Sequence, residues 1–171
     1  MPRYVALLRG VSPLNLKMPE LKACFESAGF VNVRTVLSSG NVAFDSALTD
    51  QAAIEAVAEE AMKQRLARAF YTIVRSTDEL HGLLAFDPYA AHGIPAEAKR
   101  VVSFFREPPT PRVPLPLARD FASVFHLHGR EAFTAYVPVD KGPIFMTLIE
   151  KAFGANVTTR TLDTVAKCAR S

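Results

Sequence analysis

The sequence predicts an α+β protein of two packed subdomains, the first ferredoxin-like with the order βαββαβ. Three observations lead there. Over residues 3–75, four short apolar runs alternate with two stretches of helical period. The small-residue group "SSGN", Ser38 to Asn41, joins the second run to the third as a hairpin turn. Beyond residue 76 the pattern changes to helix, strand, Pro-rich loop, hairpin and two helices, which reads as a second, smaller antiparallel sheet with helices. The expected boundaries are 1–75 and 76–171, sharing one core.

Each element has a local reason. "RYVALLRG" is a strand ended by Gly10, apolar on both faces, so both faces are expected to be covered. In "MPELKACFESAG", Leu21, Cys24, Phe25 and Ala28 fall on one helical face, with Pro19 near the start and Gly29 past the end. "NVRTVLSSGNVAFDS" supplies two strands around the turn. "TDQAAIEAVAEEAMKQRLARAF" carries an apolar stripe through Ile54, Ala58, Met62 and Leu66. "FYTIVRS" is the fourth strand. "STDE", Ser76 to Glu79, makes a capping box, so a helix starts there.

In the second half "KRVVSFF" reads as a strand. "PPTPRVPLP" lacks the N–H donors of a ladder and is expected as a linker or surface loop. "FASVFHLHGREAFTAYVP" is a hairpin turning at Gly129 and Arg130. "PIFMTLIEKAFG" and residues 161–170 are the closing helices.

Composition bounds the function. With 171 residues, 49% of them apolar and 22% charged, the chain buries enough surface to fold without staples. Twelve Phe and no Trp put much of the core into phenyl rings. Net charge is +3, but residues 50–98 hold four basic against eight acidic groups, while 141–171 hold five against two. Thirteen of the twenty basic residues are Arg, which suits bidentate contacts to carboxylate or phosphate. Cys24 and Cys168 have no metal-type or CxxC spacing, and no run is long enough for a signal peptide or a membrane span. A cytoplasmic setting with no membrane association is expected, as monomer or homodimer.

The opening turn carries the candidate site. In a 4-1-3-2 sheet the end of the first strand, the start of the first helix and the turn between strands two and three share an edge. Arg9 and Gly10, the loop "VSPLNLK", Met18 to Glu20 and Ser38, Ser39, Gly40 and Asn41 are therefore expected as neighbours. Helix N-termini and Gly-containing turns present N–H groups to anions, serines add hydroxyls, and Arg9 or Lys17 adds charge. Glu20 counts against this. The plain alternative is a turn that needs only positive φ at Gly40 and Asn41.

Other groupings say less. His126 and His128 share a strand face with Glu131 across the turn, a possible metal set lacking a fourth ligand. No metal and no cofactor are assigned. Cys24 lies in an apolar stripe and reads as buried; Cys168 has Lys167 and Arg170 nearby, which would lower its pKa. Asp45 and Asp50 read as capping the second helix. The ferredoxin-like order is shared with RNA-recognition modules, but their aromatic strand motif is missing.

Four segments, "YVALLRG", "LSSGNVAF", "REAFTAYVP" and "TTRTLDTVAKCA", together resemble the bacterial family called domain of unknown function 1697. The family's "LLRG", "SGNV", "LEK..G" and "TRNWNTV" marks fall on Leu7–Gly10, Ser39–Val42, Ile149–Gly154 and Thr159–Val165. The resemblance implies a shared fold, assigns no reaction, and adds Arg160, Thr164 and, less specifically, Lys167 to the positions of interest. The chain departs from the pattern in three places. Its loop after Gly10 is short and Gly-free, Thr161 and Leu162 stand for an Asn-Trp pair, and Gly142 and Pro143 stand for a Ser-Lys pair.

The expected function is binding of a small anionic ligand, phosphate-bearing ligands included. Arg9 pairs with charge, Gly10, Gly40 and Asn41 present N–H groups, Ser38 and Ser39 offer hydroxyls, and Arg160 with Thr164 closes the site. No catalytic residue is identified. Two alternatives stay open: a nucleic-acid module using the basic second half, and an interaction protein without a ligand.

Overall fold

The computed structural model describes residues 1–138 and 144–171. The chain forms two compact units, Met1–Leu83 with Val165–Ser171, and Leu84–Thr164. Helices and strands are mixed and both sheets are antiparallel, so the α+β class holds.

The first unit runs β1 (Arg3–Leu8), α1 (Met18–Ser27), β2 (Val31–Val36), β3 (Asn41–Asp45), α2 (Gln51–Leu66), β4 (Thr72–Ser76) and the start of α3 (Thr77–Phe86). Its sheet order is β2-β3-β1-β4, the ferredoxin-like arrangement. Tyr4 pairs with Phe44 and Leu7 with Asn41 on one side of β1, and Leu8 pairs with Thr72 on the other. Alternation sends Tyr4, Ala6, Leu8, Val42, Phe44 and Val74 to one face. There they pack with Leu21, Cys24 and Phe25 of α1 and Ile54, Ala58 and Met62 of α2. Phe44 lies at the centre, its ring 4.5 Å from that of Phe30 and 5.5 Å from that of Phe25. The opposite face, with Val5, Leu7, Ala43 and Ile73, is also buried, as the two-sided apolar pattern of β1 requires.

Polar contacts fasten the periphery. Ser76 and Glu79 form the capping box: Glu79 N–H donates to Ser76 Oγ (3.0 Å) and Ser76 N–H to Glu79 Oε1 (2.9 Å). Arg3 ties three segments together, donating to Asp45 (2.9 Å) and to the carbonyls of Asn32 (3.1 Å) and Ser171 (2.8 Å). Asp45 is thus a partner of Arg3 and Asn32 and no helix cap, and these bonds hold its carboxyl below the usual range. Asp50 does stand at the N-cap of α2, but its side chain makes no capping bond.

The second unit contains α4 (Pro88–Ala91), β5 (Lys99–Phe104), β6 (Leu117–Arg119), β7 (Ala122–His128), β8 (Glu131–Tyr136), α5 (Ile144–Phe153), β9 (Thr158–Thr161) and the start of α6 (Leu162–Ala169). Its sheet order is β6-β7-β8-β5-β9. Among the described residues it has five strands against four, which makes it the larger sheet and corrects the smaller one that the sequence predicts. The Pro-rich stretch ends in the short edge strand β6, and the "TTRT" segment pairs with β5; both strands lack an alternating pattern of their own.

The β7–β8 hairpin turns at Gly129 and Arg130, as its sequence predicts. A bulge between Val124 and His126 shifts the register. Val124 and Leu127 therefore both pack with Leu148 and Ile149 of α5, while the rings of Phe125 and His126 meet those of Tyr89 and His92. Cys168 is buried rather than exposed beside its basic neighbours. Cys24 is buried too, and that burial pushes its thiol pKa up.

Candidate functional site

The turn that closes the first sheet spans four residues, 37–40, between the paired Val36 and Asn41. Positive φ falls on Leu37 (60°) and Gly40 (87°), whereas the sequence placed it on Gly40 and Asn41. With the left-handed positions at the two ends of the loop, Asn41 falls in the strand, paired with Val36. Its fully buried side chain then closes the loop from beneath. The Nδ2 group of Asn41 donates to the Val36 carbonyl at 2.9 Å and to Ser39 Oγ at 3.1 Å.

The end of β1 meets this turn as the topology demands. Leu8 N–H donates to the Gly40 carbonyl (2.9 Å) and Arg9 N–H to the Tyr71 carbonyl (2.9 Å). Contact is close enough that a Cβ on Gly40 would stand 2.8 Å from Cβ of Val11. Ser38 and Ser39 are exposed and Arg9 is half-buried. Arg9 continues the alternation of Val5 and Leu7, and Asn41 pairs with Leu7, so both belong to the same sheet face. α1 packs against the other face, beneath Tyr4, Ala6 and Leu8.

Gly10 and the loop after it are held internally. Asn15 Nδ2 donates to the Gly10 carbonyl (2.7 Å), and Asn15 Oδ1 accepts the Ser12 N–H (2.9 Å). Asn15 thereby braces the loop from within. Lys17 stands at the N-cap of α1 without a side-chain cap bond, and Glu20 occupies the first turn.

Arg160 and Thr164 belong to the second unit. Arg160 lies on β9 opposite Val102, is nearly buried, and donates from Nη1 to the Thr159 carbonyl (2.9 Å). Thr164 N–H donates to Thr161 Oγ1 (3.2 Å), and the two hydroxyls are 3.0 Å apart. Thr161 is therefore an N-cap for α6, a role for which Thr and Asn are both suited. Gly142 and Pro143 lie outside the described residues.

His126 and His128 do share a strand face, and Glu131 pairs with His128. The third ring nearby is His92, which sequence distance conceals; its centroid is 5.2 Å from that of His126. Among the described residues, no group of three or more His, Cys, Asp or Glu is placed to hold a metal ion. Cavities elsewhere include one of about 600 Å³ between the Pro111–Leu115 segment and Phe125–Leu127, and one of about 500 Å³ beside the loop after β1.

Among the described residues, no helix is long and apolar enough to cross a membrane. No curated protein matches the chain. Among solved structures, the chain is similar to "conserved bacterial protein SP0830 from Streptococcus pneumoniae". The two superpose with a TM-score of 0.72 over 99% of this chain and 97% of that one, at 18% identity, a likeness of fold. The model of the family described as "Protein of unknown function (DUF1697)" matches residues 1–133. With that match running through the LLRG strand, the SSGN turn and most of the second sheet, the chain belongs to the DUF1697 family.

Proposed function

We propose that the end of the first sheet, where β1 exits beside the 37–40 turn, binds a small anionic group such as a phosphate. Arg9 supplies the charge, Ser38 and Ser39 supply hydroxyls, and Gly10, Gly40 and Asn41 supply the surrounding main chain. The observation that carries this reading is the hydrogen bond from Asn41 to Ser39 Oγ. That bond fixes the exposed Ser39 side chain on a buried amide, beside the strand that carries Arg9. The Leu8 to Gly40 bond holds turn and strand exit in register, so the donors are placed before a ligand arrives.

A thermal-shift screen of phosphorylated metabolites and nucleotides tests this. A ligand at a hundred times its Kd adds about 2.7 kcal/mol of stability. Arg9→Ala and Ser39→Ala should each lose most of the shift. A best ligand that stabilised both variants as well as the parent protein would refute the assignment.

A further inference from the structure

On the other face of the same sheet, where α1 and α2 pack, a cavity of about 500 Å³ opens between the loop after β1 and the end of α2. Its charged and polar walls are Asn15, Glu20, Arg65 and Arg68, and apolar side chains including Phe70 complete it. The volume is that of a small-molecule site.

The chemistry of the walls is specific. α2 ends at Leu66, and Ala67 takes a left-handed conformation (φ 56°), turning the chain so that residues on both sides of it line the same space. Arg68 lies with its guanidinium carbon 4.4 Å from the centre of the Phe70 ring. Stacking of this kind restrains the guanidinium while leaving its in-plane N–H donors for an anion. Among the described residues, neither Arg65 nor Arg68 is paired with a carboxylate. Glu20 lines the cavity but forms no ion pair with either.

Two guanidiniums with no carboxylate partner among the described residues select an anion, and phosphate matches their paired donors. A carboxylate in the same cavity repels a bare anion, yet accepts hydrogen bonds from hydroxyl groups. One ligand class satisfies both. We propose that this cavity binds a phosphorylated sugar, with the phosphate on Arg65 and Arg68 and a sugar hydroxyl donating to Glu20. A free sugar phosphate and the ribose phosphate of a nucleotide present the same chemistry. The site uses none of Arg9, Ser38 or Ser39, so it stands or falls separately from the proposal for the turn.

Isothermal titration of the full chain with ribose phosphate, a nucleoside monophosphate, inorganic phosphate and ribose decides it. Ribose phosphate or the nucleotide should bind and ribose should not; which of the two binds tighter identifies the source. Arg65→Ala and Arg68→Ala, both exposed positions, should each weaken binding about 10-fold or more. Glu20→Gln should weaken the sugar phosphate and tighten inorganic phosphate, a reversal that simple surface charge does not produce. Binding that Arg65→Ala and Arg68→Ala remove belongs to this cavity, and any that they leave but Arg9→Ala removes belongs to the turn. Absence of binding by either sugar phosphate at about 10 mM, where a useful site would be saturated, would overturn the proposal. So would equal affinity in the Arg65→Ala/Arg68→Ala double variant.

Discussion

The carboxylate of Glu55, on α2, accepts the main-chain N–H of Val74 at 2.9 Å. β4 is an edge strand, and Val74 is one of its residues whose polar groups face away from β1. Its carbonyl is taken as well, by Nη1 of Arg75 at 3.1 Å. Two buried side chains thus satisfy an edge that a further strand would otherwise pair with. Glu55→Ala should cost about 1–3 kcal/mol by leaving a buried N–H without its acceptor. Glu55→Gln keeps an oxygen there and should recover much of the loss. Urea midpoints that fall equally in both variants would show that the contact does not stabilise the strand.

Gly40 and Gly10 separate conformational strain from packing. Both have φ near +80°, at 87° and 80°. A Cβ on Gly10 meets nothing within 4 Å, whereas one on Gly40 stands 2.8 Å from Cβ of Val11 and 3.1 Å from Cβ of Leu8. Gly10→Ala should cost about 1–2 kcal/mol, the left-handed penalty alone. Gly40→Ala should cost more by about 1–3 kcal/mol, because backbone or core must shift. Equal unfolding free energies in the two variants would mean that the turn gives way without strain.

The imidazole of His126 lies 5.2 Å from that of His92 and 6.3 Å from that of His128, centre to centre. Its buried Nε2 has no hydrogen-bond partner among the described residues. Burial first, then the neighbouring His92 and His128, hold its pKa below the ordinary value. The unfolded chain therefore takes up the proton first as pH falls. The stability that neutral His126 contributes is complete above about pH 6.5. It declines as pH drops toward the folded-state pKa, and levels off below it. Chemical denaturation across this range should show the decline in the parent protein and a flatter profile in His126→Phe. A slope that survives the substitution unchanged would assign the pH dependence to other groups.

Gly154 ends α5 with φ 86°, and a Cβ there would stand 2.7 Å from Nη2 of Arg112. The Arg112 N–H donates to the Ala152 carbonyl at 2.7 Å, so the Pro-rich segment is pinned to the helix end. Gly154→Ala should destabilise by about 1–2 kcal/mol from φ alone, with a further loss from displacing the guanidinium. That further loss should vanish in the Arg112→Ala background. A double-mutant cycle with no coupling would rule out the contact.

Much of the first unit was legible because its local and tertiary demands coincide. Leu21, Cys24 and Phe25 mark a helix by spacing alone, and they are the residues of α1 that meet Phe44. The "STDE" box likewise forms the bonds its sequence promises. The candidate turn was legible in place but not in conformation. The pairing of Val36 with Asn41 puts Asn41 in the strand and leaves Leu37 and Gly40 as the left-handed residues, a register that only the sheet fixes. β6 and β9 escaped notice because a three- or four-residue strand acquires its identity from the neighbour it pairs with.

By itself, then, the sequence determined the α+β class, the first four strands and two helices, and the presence of hairpins at the SSGN segment and at residues 129–130, since periodicity and turn chemistry act over a few residues. Tertiary structure decided what lies across distance. It set the cap of Glu55 on Val74, the grouping of His92 with His126, the cavity shared by Glu20, Arg65 and Arg68, and the inclusion of Val165–Ser171 in the first unit. Such contacts join residues far apart along the chain, and only the packing of helices on sheets brings them within reach of one another.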